Sequence, residues 1–147
     1  LDSFIFIAHI VAAIIALTTD LQRPFTAGKA TAKYITNNHL DSLPIAGDPD
    51  FILLSISGYL DKPVYQLRTG KTATYIVWDK SRIRSVTEDQ LIATAEHFAE
   101  QQKKDVLLIL SYKIQNSYPT VRFLDSFTES IQADEIFYLY YLQKGNK

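Results

Sequence analysis

The feature that restricts this chain most is the stretch Leu43 to Leu67, LPIAGDPDFILLSISGYLDKPVYQL, which reads as strand, helix and strand in immediate succession. Leu43, Ile45 and Ala46 form a short apolar run that stops at Gly47, and Asp-Pro-Asp follows. That tripeptide suits a helix start: Asp48 as the capping side chain, Pro49 at the first helical position, Asp50 at the positive end of the helix dipole. The apolar helix breaks at Asp61-Lys62-Pro63, and Val64 to Leu67 returns as a second strand. Such a unit buries its apolar strands between helices.

The rest of the chain extends this unit. A helix is expected to begin near Thr26, with Ala27, Ala30, Ala32, Tyr34 and Ile35 as its small-residue face, Lys29 and Lys33 in solvent, and Asn37, Asn38 and His39 as its polar end. Arg68 to Lys71 reads as a turn, Thr72 to Trp78 as a β-branched and aromatic strand, and Asp79 to Arg84 as a charged surface loop. Val86-Thr87-Glu88-Asp89-Gln90-Leu91 is a capping box with its hydrophobic staple and opens a helix over Glu88 to Lys103. Val106 to Leu110 is a buried strand, and Val121 to Phe127 with Glu135 to Gln143 form a closing hairpin. The expected fold is therefore α/β, a mixed and mostly parallel sheet with helices on both faces and a C-terminal antiparallel hairpin.

Phe4 to Leu17, FIFIAHIVAAIIAL, carries one polar side chain, His9, and no charge. Fourteen residues fall short of the ~20 that cross a bilayer. Yet the run is apolar on every side, where a helix resting on a water-soluble domain shows a polar face. A chain that opens on Leu1 also reads as part of something longer. We expect residues 1–22 to be the last transmembrane helix, with a core helix or a signal segment as the alternatives, and residues 23–147 to be one water-exposed domain.

Composition narrows the partners. At 147 residues and 47% hydrophobic, the chain is long enough for one domain with a proper core. A net charge of -1 leaves no basic footprint for nucleic acid. The absence of cysteine excludes disulfides and thiolate metal sites.

No catalytic constellation stands out. Asp48 and Asp50 form an Asp-x-Asp after a strand, a pattern that can hold a divalent cation through oxygen ligands or contact a small ligand. Both residues are accounted for equally well as helix-start residues, so they are carried as ligand-binding candidates with no metal and no cofactor assigned. Thr69-Gly70-Lys71-Thr72 has the ending of a phosphate-binding loop, but Tyr65 stands where its first glycine is required. His39 and His97 have no nucleophile beside them in sequence, and the aromatic run Ile136 to Leu142 is apolar on both faces, as a core strand is.

Several stretches together carry a resemblance: Phe25 with Ala27, Lys29-Ala30 and Ala32 to Ile35; Pro44 to Asp50; Gly58 to Tyr65; Val77-Trp78-Asp79; and Ala133 to Tyr140. They resemble the C-terminal soluble domain of a group of bacterial polytopic membrane proteins, themselves similar to the dolichyl-phosphate-mannose-protein mannosyltransferases. The resemblance implies an extracytoplasmic, periplasmic domain that follows a final membrane crossing. Its partners would be membrane lipid, through Phe4 to Leu17, and the remainder of a polytopic protein. In such transferases the acidic catalytic residues lie in another loop, so the resemblance carries no catalytic residue onto this chain. A freestanding α/β module that binds a small ligand around Gly47 and Asp48 is the other expectation.

Overall fold

The computed structural model describes residues 2–22, 24–76 and 85–145. Four helices occur in them: α1 (Asp2–Gln22), α2 (Gly28–Asn37), α3 (Asp50–Leu60) and α4 (Glu88–Gln102). The strands are β1 (Ile45–Asp48), β2 (Val64–Gln66), β3 (Lys71–Ala73), β4 (Val106–Leu110), β5 (Val121–Phe127) and β6 (Phe137–Leu142). They form one six-stranded mixed sheet in the order β3-β2-β1-β4-β6-β5.

The expected β1-α3-β2 unit is present, with β1 parallel to both β2 and β4. The expectation of a mostly parallel sheet is corrected, because the three outer pairings, β2 with β3, β4 with β6 and β5 with β6, are antiparallel. The reason lies in the connections. Parallel neighbours need a long crossover, as α3 provides between β1 and β2, whereas the turn between β2 and β3 and the helix-free connection after β5 return the chain antiparallel.

The centre of the sheet is its driest part. All five residues of β4 are fully buried, and the four of β1 are buried as well. Alternate β4 side chains divide between two core clusters. Val106, Leu108 and Leu110 pack with Leu91, Ile92, Ala95, Phe98 and Ala99 of α4. Leu107 and Ile109 pack with Ile35 of α2 and Ile52, Leu53 and Ile56 of α3. Each such aliphatic side chain contributes about 1.5–3 kcal/mol by leaving water.

Local signals hold to different degrees. The capping box is fully formed: Thr87 Oγ1 accepts the Gln90 N–H, and Gln90 Oε1 accepts the Thr87 N–H. Val86 packs into the same cluster as Leu91. The expected strand Thr72 to Trp78 is shorter, since pairing stops at Ala73; Val77, Trp78 and the charged loop Asp79 to Arg84 lie outside the described residues. Asp48 does not cap α3. The strand runs one residue further than expected, so Asp48 belongs to β1 and Pro49, in extended conformation after a cis peptide bond, takes the cap position.

The N-terminal run forms α1, and among the described residues no helix is long and apolar enough to cross a membrane. At 1.5 Å per residue the run Phe4 to Leu17 covers about 21 Å, against about 30 Å of hydrocarbon. Nor is it a core helix: Phe4 is 76% exposed, Phe6 68% and Leu17 62%. The following segment is stitched to the β5–β6 connection, where the Pro24 carbonyl accepts the Ile131 N–H, the Phe25 carbonyl accepts that of Gln132, and the Ala27 N–H donates to Glu135. That connection leads into Phe137 beside the end of β4, where Tyr138 faces Leu110. The chain coming from α1 thus joins the domain at the carboxyl ends of the central parallel strands.

Candidate functional site

In an open α/β sheet, ligands favour the point where the chain leaves neighbouring parallel strands in opposite directions, outside their carboxyl ends. Here that point lies between β1, which leads through α3 to β2 on one side, and β4 on its other side. Gly47 sets the geometry just before it. A Cβ on Gly47 would lie 2.2 Å from the Ile109 carbonyl oxygen and 2.7 Å from Leu53 Cδ2, so only glycine lets β1, β4 and α3 meet this closely.

Asp48 ends β1 at this junction and is fully buried. Its carboxylate is gripped by Arg68, whose Nε donates to Oδ1 at 2.5 Å and whose Nη2 donates to Oδ2 at 3.0 Å. The Tyr112 hydroxyl donates to the same Oδ2 at 2.8 Å. Arg68 comes from the turn after β2, which is held by the Thr69 and Gly70 N–H groups on the Gln66 carbonyl. Tyr112 stands two residues beyond β4, placed by the Ser111 N–H on the Asp48 carbonyl. Asp50 is also buried, and its Oδ1 accepts the Phe51 N–H at the first turn of α3.

The electrostatics follow from this packing. The hydrogen bonds to Asp48 raise Arg68 above its ordinary value against the opposing effect of burial, and the charges of Asp48 and Asp50 act in the same direction. Burial first, then the Asp48 charge and hydrogen bond, push the Tyr112 phenol well up, so it stays a protonated donor at neutral pH. A bidentate guanidinium–carboxylate pair supported by a third donor is a rigid, charge-assisted unit.

The loop beyond β4 is fixed by a second carboxylate. Glu88, at the start of α4, accepts the N–H groups of Gln115 and Asn116 at 2.8 and 2.9 Å. Tyr118 donates to Asp89 at 2.5 Å, a bond that pushes its phenol up to about 12. The Tyr140 hydroxyl accepts the Ile114 N–H at 2.9 Å. The carboxyl edge is therefore covered by an ordered loop.

Of the two sequence candidates, the structure brings both Asp48 and Asp50 to this junction. The oxygens of Asp48 are spent on Arg68 and Tyr112, and among the described residues no group of three or more His, Cys, Asp or Glu side chains could hold a metal ion. His39 and His97 stand apart from this cluster, His39 ahead of the turn before β1 and His97 on α4 bonded to Gln101. Arg68 and Tyr112 were not foreseen. The rule that ligands collect at strand carboxyl ends would have pointed to both, one just past β2 and the other just past β4.

Comparison with protein-family models, with curated proteins and with solved structures gave no match to this chain. The resemblance to membrane glycosyltransferase-like proteins thus rests on the sequence stretches quoted above.

Proposed function

We propose that this chain is the extracytoplasmic, C-terminal α/β domain of a membrane-embedded glycosyltransferase-like protein, non-catalytic by itself, which scaffolds that protein or contacts its acceptor. In this reading helices cover both faces of the sheet, as the division of the core between α4 and the α2–α3 pair supports. The observation that carries the proposal is α1. Nine large apolar side chains between Phe4 and Leu17 are 45–76% exposed, among them Ile7, Ile10, Val11, Ile14 and Ile15. A helix apolar around its circumference needs hydrocarbon or a protein interior. The domain supplies no such interior, so the surroundings of α1 are lipid and the remaining helices of the parent protein. The helix enters hydrocarbon without crossing it alone.

Flotation tests this. The chain should rise through a density gradient with phosphatidylethanolamine–phosphatidylglycerol vesicles, and Ile7→Lys combined with Ile14→Lys should leave it at the bottom with its circular dichroism unchanged. A wild-type chain that stays monomeric in the aqueous fraction would end the proposal.

The Arg68–Asp48–Tyr112 cluster favours a second reading, a freestanding module that binds a small anionic ligand at the junction of β1 and β4. Such a ligand would meet the exposed side of Arg68, 25% accessible, while the guanidinium keeps its hold on Asp48. The two readings part on one comparison. A chain truncated before Pro24 that is monomeric, and whose Arg68 side-chain resonances respond saturably to small carboxylates or phosphates, fits the module; a silent Arg68 fits the membrane domain.

A further inference from the structure

The opposite, amino-terminal edge of the sheet holds a second polar concavity. A cleft of about 370 Å³ opens there, lined by Ser42, Lys62, Thr72, Phe98, Gln102 and Lys104, with Pro44, Ile45 and Pro63 completing its wall. Its size lies within the range of small-molecule sites. The segments before β1, β2 and β4 contribute to it, together with Ile45 of β1, Thr72 of β3 and Phe98 and Gln102 of α4.

Lys62 is held in place rather than left to wander. It follows Asp61, which closes α3 in the left-handed conformation, and its N–H and carbonyl are fixed by the Ser57 carbonyl and hydroxyl. Its ammonium donates to the carbonyls of Asp41 at 2.5 Å and Leu43 at 2.6 Å, which uses two of its three protons. Burial lowers the Lys62 pKa, Asp41 raises it, and the like charge of Lys104 lowers it again. Lys62 and Lys104 thus bring two ammonium groups to one cleft; the Asp41 carboxylate offsets Lys62 in part, and no carboxylate is among the residues that line it. Asp105, next to Lys104, is turned to the Tyr141 hydroxyl and the Lys144 N–H instead. The Ala99 and Glu100 carbonyls at the end of α4 accept the Lys104 and Lys103 N–H groups, which blunts the negative end of that helix.

We propose that this cleft is an anion site that takes an organic phosphate, its phosphoryl oxygens between Lys62 and Lys104 and its carbon portion over the Phe98–Pro63 wall. An anion relieves the lysine–lysine repulsion, and the Thr72 hydroxyl with the Gln102 amide supplies neutral donors. The chain from α1 joins the domain at the other end of the sheet. The inference stands on the lysine pair and does not depend on α1 meeting lipid.

Amide spectra of the isotope-labelled full chain, titrated with inorganic phosphate and with phenyl phosphate, provide the test. Saturable shifts at Lys62, Thr72 and Lys104 are expected, tighter for phenyl phosphate, with a dissociation constant on the order of 1 mM or below. Lys104 is exposed, so Lys104→Gln should fold as the wild type does and weaken binding about tenfold, the loss of one charge-assisted contact. Lys113→Gln, at the far end of the sheet, should leave it unchanged. Absence of saturable shifts, shifts indifferent to Lys104→Gln, or a response to phosphatidylglycerol vesicles without one to either soluble phosphate would each overturn the proposal.

Discussion

Replacing Arg68 by methionine keeps most of the side chain's apolar stem but removes the guanidinium, and Asp48 then remains fully buried with one direct donor, Tyr112, at 2.8 Å. Breaking a buried ion pair in this way costs about 3–5 kcal/mol, because the remaining charge has no counterion and no water. The reciprocal change, Asp48→Asn, is gentler. It replaces the charge-assisted contact with a neutral one, and Arg68, 25% exposed, regains hydration, so about 1–3 kcal/mol is expected. The double variant removes both charges and should cost less than the two single changes together. The coupling, about 2 kcal/mol or more, is the signature of a pair that acts as a unit. Urea unfolding followed by far-ultraviolet circular dichroism measures all four proteins. Domains of this size have only about 5–15 kcal/mol in hand, so the Arg68→Met transition midpoint should fall visibly. Equal effects of the two single changes, or additivity within about 0.5 kcal/mol in the double variant, would show that the contact between Arg68 and Asp48 is incidental and refute the reasoning.

Gly47→Ala should abolish folding or cost well above about 3 kcal/mol, since its Cβ meets backbone at 2.2 Å rather than a side chain that could move; soluble yield and thermal melting report it. Thr87→Ala removes the capping box and should cost about 1 kcal/mol, with Thr87→Ser close to wild type in the same unfolding assay. Acid sensitivity is a further expectation. Burial would raise Glu88, but the Gln115 and Asn116 N–H groups and the Tyr118 hydroxyl outweigh it and hold the carboxyl below its ordinary 4.5; the Tyr141 hydroxyl and the Lys144 N–H do the same for Asp105, ordinarily 3.8. A lowered folded-state value means that the stabilisation is complete above the ordinary value and is lost as pH falls through the folded one. Hydrogen exchange at Gln115 and Asn116 should therefore accelerate below pH 4.5 once corrected for intrinsic rates, and Glu88→Gln should show that acceleration already at neutral pH.

Local signals in this chain were legible because their physics is local. The capping box at Thr87 needs only its own turn, and β4 could be read from five successive apolar residues that tolerate no solvent face. Val121 to Phe127 matches the expected strand residue for residue, since its flanking turns bound it on both sides. What escaped was long-range. Whether Asp48 caps α3 or serves Arg68 depends on the partner that arrives twenty positions later, and Tyr112 is farther still, so the same Asp-Pro-Asp satisfied either arrangement on paper. The balance of parallel and antiparallel pairing was hidden for the same reason: strand segments are local, but the side of the sheet on which each is added is decided by the whole chain.

That decision also gives the two edges of the sheet different chemistry. At the carboxyl edge, β1 and β4 end side by side and their chains diverge, leaving a gap that Arg68 and Tyr112 close from the neighbouring connections while Glu88 ties down the loop above. At the amino edge the incoming segments end in left-handed or 3-10 turns: Leu40–Ser42 before β1, Asp61 before β2 and Lys103 before β4. Such turns display short polar residues and lysines around carbonyl oxygens instead of mutually neutralising them, as Lys62 does with Asp41 and Leu43. A closed, internally neutralised edge stands where the chain from α1 joins the domain, and an open cationic cleft stands at the far end. If α1 is held in lipid, the edge next to it is the one where Arg68 and Asp48 pair, and the edge that carries Lys62 and Lys104 lies at the other end of the sheet, the arrangement that minimises desolvation near a bilayer.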